Sequence, residues 1–114
     1  MKSVITQSGV FLTGSEIADA VTAYGLALAR VRELDVVDIP FLEADGSQHR
    51  VQMRIGWGVE TAVTSDEEPA DELIEVDTIF DLLARTRSLT QAGAAEADRP
   101  LTEVWDDTNW DDII

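Results

Sequence analysis

Cysteine is absent from this chain and histidine occurs once, at His49. The first absence excludes a disulfide framework, a thiolate metal site and a cysteine nucleophile; the second leaves no set of imidazoles to hold a metal. Bases are scarce too. Eight Lys and Arg face 23 Asp and Glu, a formal net charge of −15. Nucleic-acid binding rests on cations that neutralise phosphates, so this balance argues against a nucleic acid as partner. No apolar run approaches the ~18 residues of a spanning helix, so no membrane partner is expected. The apolar stretch at residues 9–12 stops at Thr13-Gly14-Ser15 without a small-residue cleavage pattern after it. With neither leader nor cysteines in view, the expected compartment is the cytoplasm.

Catalytic signatures are equally thin. Gly56-Trp57-Gly58 has two glycines of a dinucleotide fingerprint but no third and no following helix. His49 has no serine elbow or orienting acid beside it in sequence. Twenty-three carboxylates single out no acid–base pair. The expectation is a non-enzymatic protein without cofactor or metal. Asp107, Asn109 and Asp111 match the opening ligand positions of an EF-hand loop, but Asp112 stands where glycine is needed and no twelfth-position glutamate follows.

What is present is a 114-residue chain, 45% apolar, with a mean hydropathy of −0.04, the size and balance of one globular domain. Val4-Ile5-Thr6 and Val10-Phe11-Leu12 read as one strand or a kinked strand. Thr13 and Glu16 have the capping-box spacing, with Ser15 a rival cap, and Ile17, Val21, Tyr24, Leu28 and Val31 repeat as one apolar stripe of a helix. Gly25 inside that stripe suggests either a close contact with a sheet or a mild weak point. Residues 34–43 read as a strand whose Pro40 belongs at an edge or bulge. Asp45-Gly46 then predicts a hairpin into a strand with Val51, Met53, Ile55 and Trp57 inward, and residues 59–64 extend it to a three-stranded meander. Leu73, Ile74 and Val76 suggest a brief strand. Asp77 is placed to cap a second helix carrying Ile79, Leu82, Leu83, Thr86 and Leu89.

The predicted fold class is therefore α+β: a mainly antiparallel three- to four-stranded sheet with two helices packed on one face, plus a C-terminal acidic aromatic arm. Residues 1–89 form the compact domain. Residues 90–100 lack large apolar groups and read as a linker, and residues 101–114 as a docking arm.

Acidity is regional. Residues 1–57 carry seven acids and five bases, whereas residues 58–114 carry sixteen acids and three bases. Such a field steers cationic partners, although it also serves as an ordinary solvating surface. The arm holds two of the three tryptophans among its acids, and large aromatics anchor interfaces. Val104, Trp105, Asp106, Asp107, Trp110, Asp111, Asp112 and Ile113 are the candidate partner-binding residues. Three occupations are open to them: completing the chain's own core, clasping a second subunit or partner protein, or acting as an acidic recruitment peptide. The reading is a protein-binding or assembly module, homo-oligomeric most simply. An acidic inhibitor of a basic protein, such as an immunity protein or nucleic-acid mimic, is the alternative, and a small carboxylate-based enzyme the second.

Overall fold

The computed structural model describes residues 1–65 and 71–97, with side chains through Gln91. The candidate residues Val104, Trp105, Asp106, Asp107, Trp110, Asp111, Asp112 and Ile113 lie outside the described residues, as does the partial EF-hand pattern. The order is β1 (Lys2–Thr6), β2 (Gly9–Thr13), α1 (Ser15–Arg30), β3 (Leu34–Leu42), β4 (Gln48–Gly56), β5 (Ala62–Ser65) and α2 (Val76–Ala97). The α+β class holds, with five antiparallel strands in place of three or four, ordered β4-β3-β2-β1-β5.

The extra strand arises at the N-terminus. Residues 2–13 are a hairpin and not one strand, because Gln7-Ser8 closes a two-residue turn between Thr6 and Gly9. Gly9 adopts φ +145°, and the Ser8 amide donates to the Thr6 hydroxyl at 3.1 Å. The β3–β4 hairpin forms where Asp45-Gly46 predicts it. Gly46 takes φ +85°, and the Asp45 carboxylate accepts the Ser47 amide at 2.9 Å.

The predicted meander does not form: β5 pairs with β1, from Lys2↔Ser65 to Ile5↔Ala62, on the far side of the sheet from β4. Gly56 and Gly58, at φ +116° and +75°, turn the chain away from β4, and this also breaks the strand's alternation. Val51, Met53 and Ile55 face inward, but Trp57, which the alternation placed with them as a core or turn residue, lies in the turn and is 53% exposed. Residues 57–61 must carry the chain from one edge to the other. Those few residues reach about 20 Å, and a flat sheet already separates its outer strands by about 19 Å before any stagger. The sheet therefore curls around α1, whose Val21 and Gly25 line a hollow together with Ile55 of β4 and Val63 of β5.

β2 meets β3 only at Leu12↔Leu42. Pro40 thus occupies an inner strand in the order, yet its missing donor faces a side where no ladder runs, and its carbonyl accepts the buried Thr13 hydroxyl at 2.7 Å. That bond takes Thr13 out of the predicted capping box. Gly14 is the N-cap of α1 and supplies no side-chain cap; the Glu72 carboxylate serves instead, accepting the Ser15 amide and hydroxyl at 2.8 Å each. Glycine is required at position 14, since a Cβ there would lie 1.7 Å from the Leu73 carbonyl oxygen. Gly25 faces β4 as expected, its absent Cβ 3.8 Å from Ile55.

The core is Val4, the α1 stripe Ile17, Val21, Tyr24 and Leu28, then Val37, Ile39, Met53, Ile55 and Leu82. Each large aliphatic buried this way contributes about 1.5–3 kcal/mol. No strand forms at Leu73-Ile74 among the described residues. Asp77 lies inside the first turn of α2 rather than at its cap, where it complements the helix dipole. Glu75 precedes the helix, and its carboxylate accepts the Thr78 hydroxyl. α2 rests on α1 through Leu82, with Ile79 and Leu89 beside it, and its backbone stays helical beyond Leu89 into the stretch read as a linker.

Candidate interaction surface

α1 puts its large apolar residues on one buried stripe, with Leu26 alone of them left 54% exposed. α2 has two. Ile79, Leu82, Thr86 and Leu89 turn toward α1, while Val76, Phe80 and Leu83 follow spacings of four and three residues on a second line and stay in solvent. Phe80 is 67% exposed, Val76 54% and Leu83 43%, and Ile74 just ahead of the helix adds to the patch. Leu83 is a correction to the sequence reading, which placed it with the core. Isolated apolar residues on a surface need no explanation, but a contiguous line holding a phenylalanine marks a contact face.

Charge along α2 is segregated. Asp77 and Asp81 lie in the first turns, Arg85 and Arg87 follow, and no acid intervenes between Asp81 and Glu96. Arg87 continues the line of Phe80 and Leu83 by one more turn. Among the described residues, Asp77 and Arg87 take part in no ion pair, whereas Arg85 pairs with Asp81 at 3.1 Å and Asp35 at 3.2 Å.

The other charged groups at α2 fasten it down. A hollow of about 430 Å³ separates α2 from β3 and β4, lined by Asp38, Arg50, Glu75, Asp81 and Arg85. Arg50 donates to Asp38 at 2.6 Å and to Glu75 at 2.8 Å. Tyr24, buried on α1, donates its hydroxyl to Asp35 at 2.5 Å, and Arg85 lies 6.0 Å from the Tyr24 ring centre. The Tyr24 hydroxyl, with Arg85 beside it, holds the Asp35 carboxyl below the usual range, while burial and Asp35 push the Tyr24 phenol up. The Thr78 hydroxyl and Arg50 likewise lower Glu75. Every resolved carboxyl shift favours the ionised form, through hydroxyl donors at Asp35, Asp45 and Glu75 and through the Met1 ammonium at Glu72.

Elsewhere, Glu72 collects the Met1 ammonium at 2.6 Å together with Ser15, and is held down to about 2 by that ammonium first. His49 is exposed beside Phe41, its Nε2 3.1 Å from the Ser47 hydroxyl. Among the described residues no group of three or more His, Cys, Asp or Glu is placed to hold a metal, and no helix is long and apolar enough to cross a membrane. Family models, curated proteins and solved structures yield no match to the chain.

The outer line of α2 is thus the largest run of exposed apolar side chains on that helix, and it is the candidate surface. Sequence reasoning overlooked the face because it sought one stripe per helix. The available signal was Phe80, which falls four residues after Val76 and three before Leu83, off the line of Ile79 and Leu82.

Proposed function

We propose that the protein is a non-enzymatic assembly module that pairs with a second copy of itself through the outer face of α2. The exposed line Val76–Phe80–Leu83 carries this reading. A two-fold pairing requires a self-complementary patch, and the charge segregation of α2 makes one. In an antiparallel pair, Phe80 of each copy meets Leu83 of the other, and each Arg87 approaches the other's Asp77. A parallel pair would set like charges together. Burying both phenylalanines contributes about 3–6 kcal/mol across the two-fold, from about 1.5–3 kcal/mol for each ring.

Sedimentation velocity over a range of concentrations tests it. The expected result is a dimer that Phe80→Glu weakens by about a hundredfold or more, since 2.8 kcal/mol corresponds to that factor. Arg87→Asp and Asp77→Arg each weaken it, and combining them restores it. A concentration-independent monomer overturns the proposal. A basic protein partner is the second reading, favoured by the exposed acids Asp71, Asp77 and Asp81 beside the same apolar line. It predicts a monomer that captures a cationic protein and releases it in moderate salt.

A further inference from the structure

A second exposed apolar area lies at the opposite end of the domain from Gly14, on the side of β3 and β4 that faces away from α1. Leu34 and Val36 are exposed there, Arg54 stands opposite Val36 in the β-register, and Trp57 follows Gly56, the partner of Leu34; Val36 also borders the hollow against α2 with Asp38 and Asp81. Trp57 is held in place by its amide, which donates to the Glu33 carbonyl at 2.9 Å. The Arg32 guanidinium stands 5.6 Å from its ring centre, and Arg32 itself takes φ +57°. Leu34, Arg54 and Trp57 share a shallow hollow of about 240 Å³ with Gln7. Arg30 ends α1 close by in sequence.

These arginines, like Arg87 on α2, are not tied down by acids of the described residues. Lys2, Arg50 and Arg85 are engaged in ion pairs, whereas Arg30, Arg32 and Arg54 have none among the described residues. Glu33 and Asp35 flank Leu34 in sequence, and Asp35 is turned to the other side of β3, where it accepts the Tyr24 hydroxyl and pairs with Arg85. In a chain of net charge −15, a cationic rim around exposed Leu, Val and Trp is a local inversion. Free polyanions are repelled by the rest of the molecule, so the ligand must carry its negative charge together with apolar groups.

Besides the acid-flanked outer line of α2, the C-terminal stretch is such a segment. Residues 101–114 hold five acids, no base, Trp105, Trp110 and the closing isoleucines. The course of α2 brings it within reach. Leu73 lies against Gly14 at the start of α1, and Arg85 meets Tyr24 further along, so the two helices run in the same direction. Six residues beyond Tyr24 is Arg30, and six beyond Arg85 is Gln91; α2 therefore passes the cationic end, and its last described residue, Ala97, lies about 9 Å further on at the helical rise. Residues 98–104 can span about 23 Å when extended, enough to return. A tethered segment also acts at an effective concentration near millimolar, so modest contacts suffice.

We infer that the face formed by Leu34, Val36, Trp57, Arg32 and Arg54 is the docking site for residues 101–114 of the same chain, with Trp105 and Trp110 on the apolar area and Asp106, Asp107, Asp111 and Asp112 toward the arginines. The acidic aromatic tail thereby covers that cationic face.

Proton NMR of the full chain, labelled at tryptophan and at the Leu and Val methyls, tests this. Nuclear Overhauser contacts are expected from the Trp105 and Trp110 rings to the Leu34 and Val36 methyls, unchanged on dilution and weakened by 0.5 M salt. In the double variant Arg32→Glu/Arg54→Glu these contacts disappear, and both indole signals move to the positions of free tryptophan. Arg32→Gln/Arg54→Gln, which preserves size and lacks the reversed charge, gives partial loss and serves if the first variant does not fold. Indoles already at free-tryptophan positions in the native chain overturn the proposal. So do contacts that survive both variants, or contacts seen only between differently labelled chains in a mixed sample, which place the segment on a second copy.

Discussion

α1 and α2 are both amphipathic, but they divide their apolar residues differently. α1 puts Ile17, Val21, Tyr24 and Leu28 on one line that the curled sheet covers and leaves a single large aliphatic, Leu26, in solvent, with no second line through it. α2 divides its apolar residues between Leu82, buried on α1, and Phe80, left in water. A helix whose pattern has one stripe is satisfied by its own domain; a helix with two stripes has more apolar surface than one neighbour can cover. The buried line builds the fold, and the second line is available to something else.

The sharpest way to break this comparison is to remove one residue from each line. Ile17→Ala empties a fully buried site and is expected to cost about 3 kcal/mol in urea unfolding, with association per folded chain unchanged. Phe80→Ala is expected to leave the folded monomer within about 0.5 kcal/mol of the parent, as surface substitutions do, and to act on sedimentation instead. Equal unfolding losses for the two would show that α2's outer line belongs to the core.

Gly14→Ala comes next. Its Cβ would stand 1.7 Å from a backbone oxygen, so the segment carrying Leu73 must move, and with it the start of α2. The expected cost is about 2 kcal/mol, read by the thermal midpoint. An unchanged midpoint would mean that α2 is seated without that contact. Tyr24→Phe has a smaller effect, about 1 kcal/mol, because one hydrogen bond is lost while Arg85 still pairs with Asp35.

The helices and the β3–β4 hairpin were legible because their signals are local. One stripe at period 3.6 and one Asp45-Gly46 turn each fix their element without reference to the rest of the chain. The misread features depend on distant partners. Nothing near Ala62 states that β5 joins β1, and nothing near Thr13 states that its hydroxyl is needed by Pro40 and lost to the cap. Glu72, which takes over that cap, is 57 residues from Ser15. Trp57 followed the alternation of β4 until Gly56, whose positive φ releases the following side chain from the inner face. At the surface, composition pointed to the tail's tryptophans, and the second line of α2 required the exposure of each residue.

The smallest effect separates the two helices by pH. Glu72 secures the start of α1, and Asp35 and Glu75 secure α2 to β3 and β4. All three carboxyls are lowered in the folded chain, Glu72 from 4.5 to about 2, chiefly by the Met1 ammonium. A carboxyl lowered by folding stabilises the fold above its unfolded value, and that stabilisation disappears as pH falls through the folded value. Glu72 therefore contributes in full above about pH 5 and progressively less down to about pH 2, and its solvent exposure keeps the contribution small. Unfolding midpoints of the parent and Glu72→Gln, measured from pH 7 downward, should differ most at pH 7 and converge as pH approaches 2. A gap that stays constant across that window would mean that the α1 cap works without the charge of Glu72.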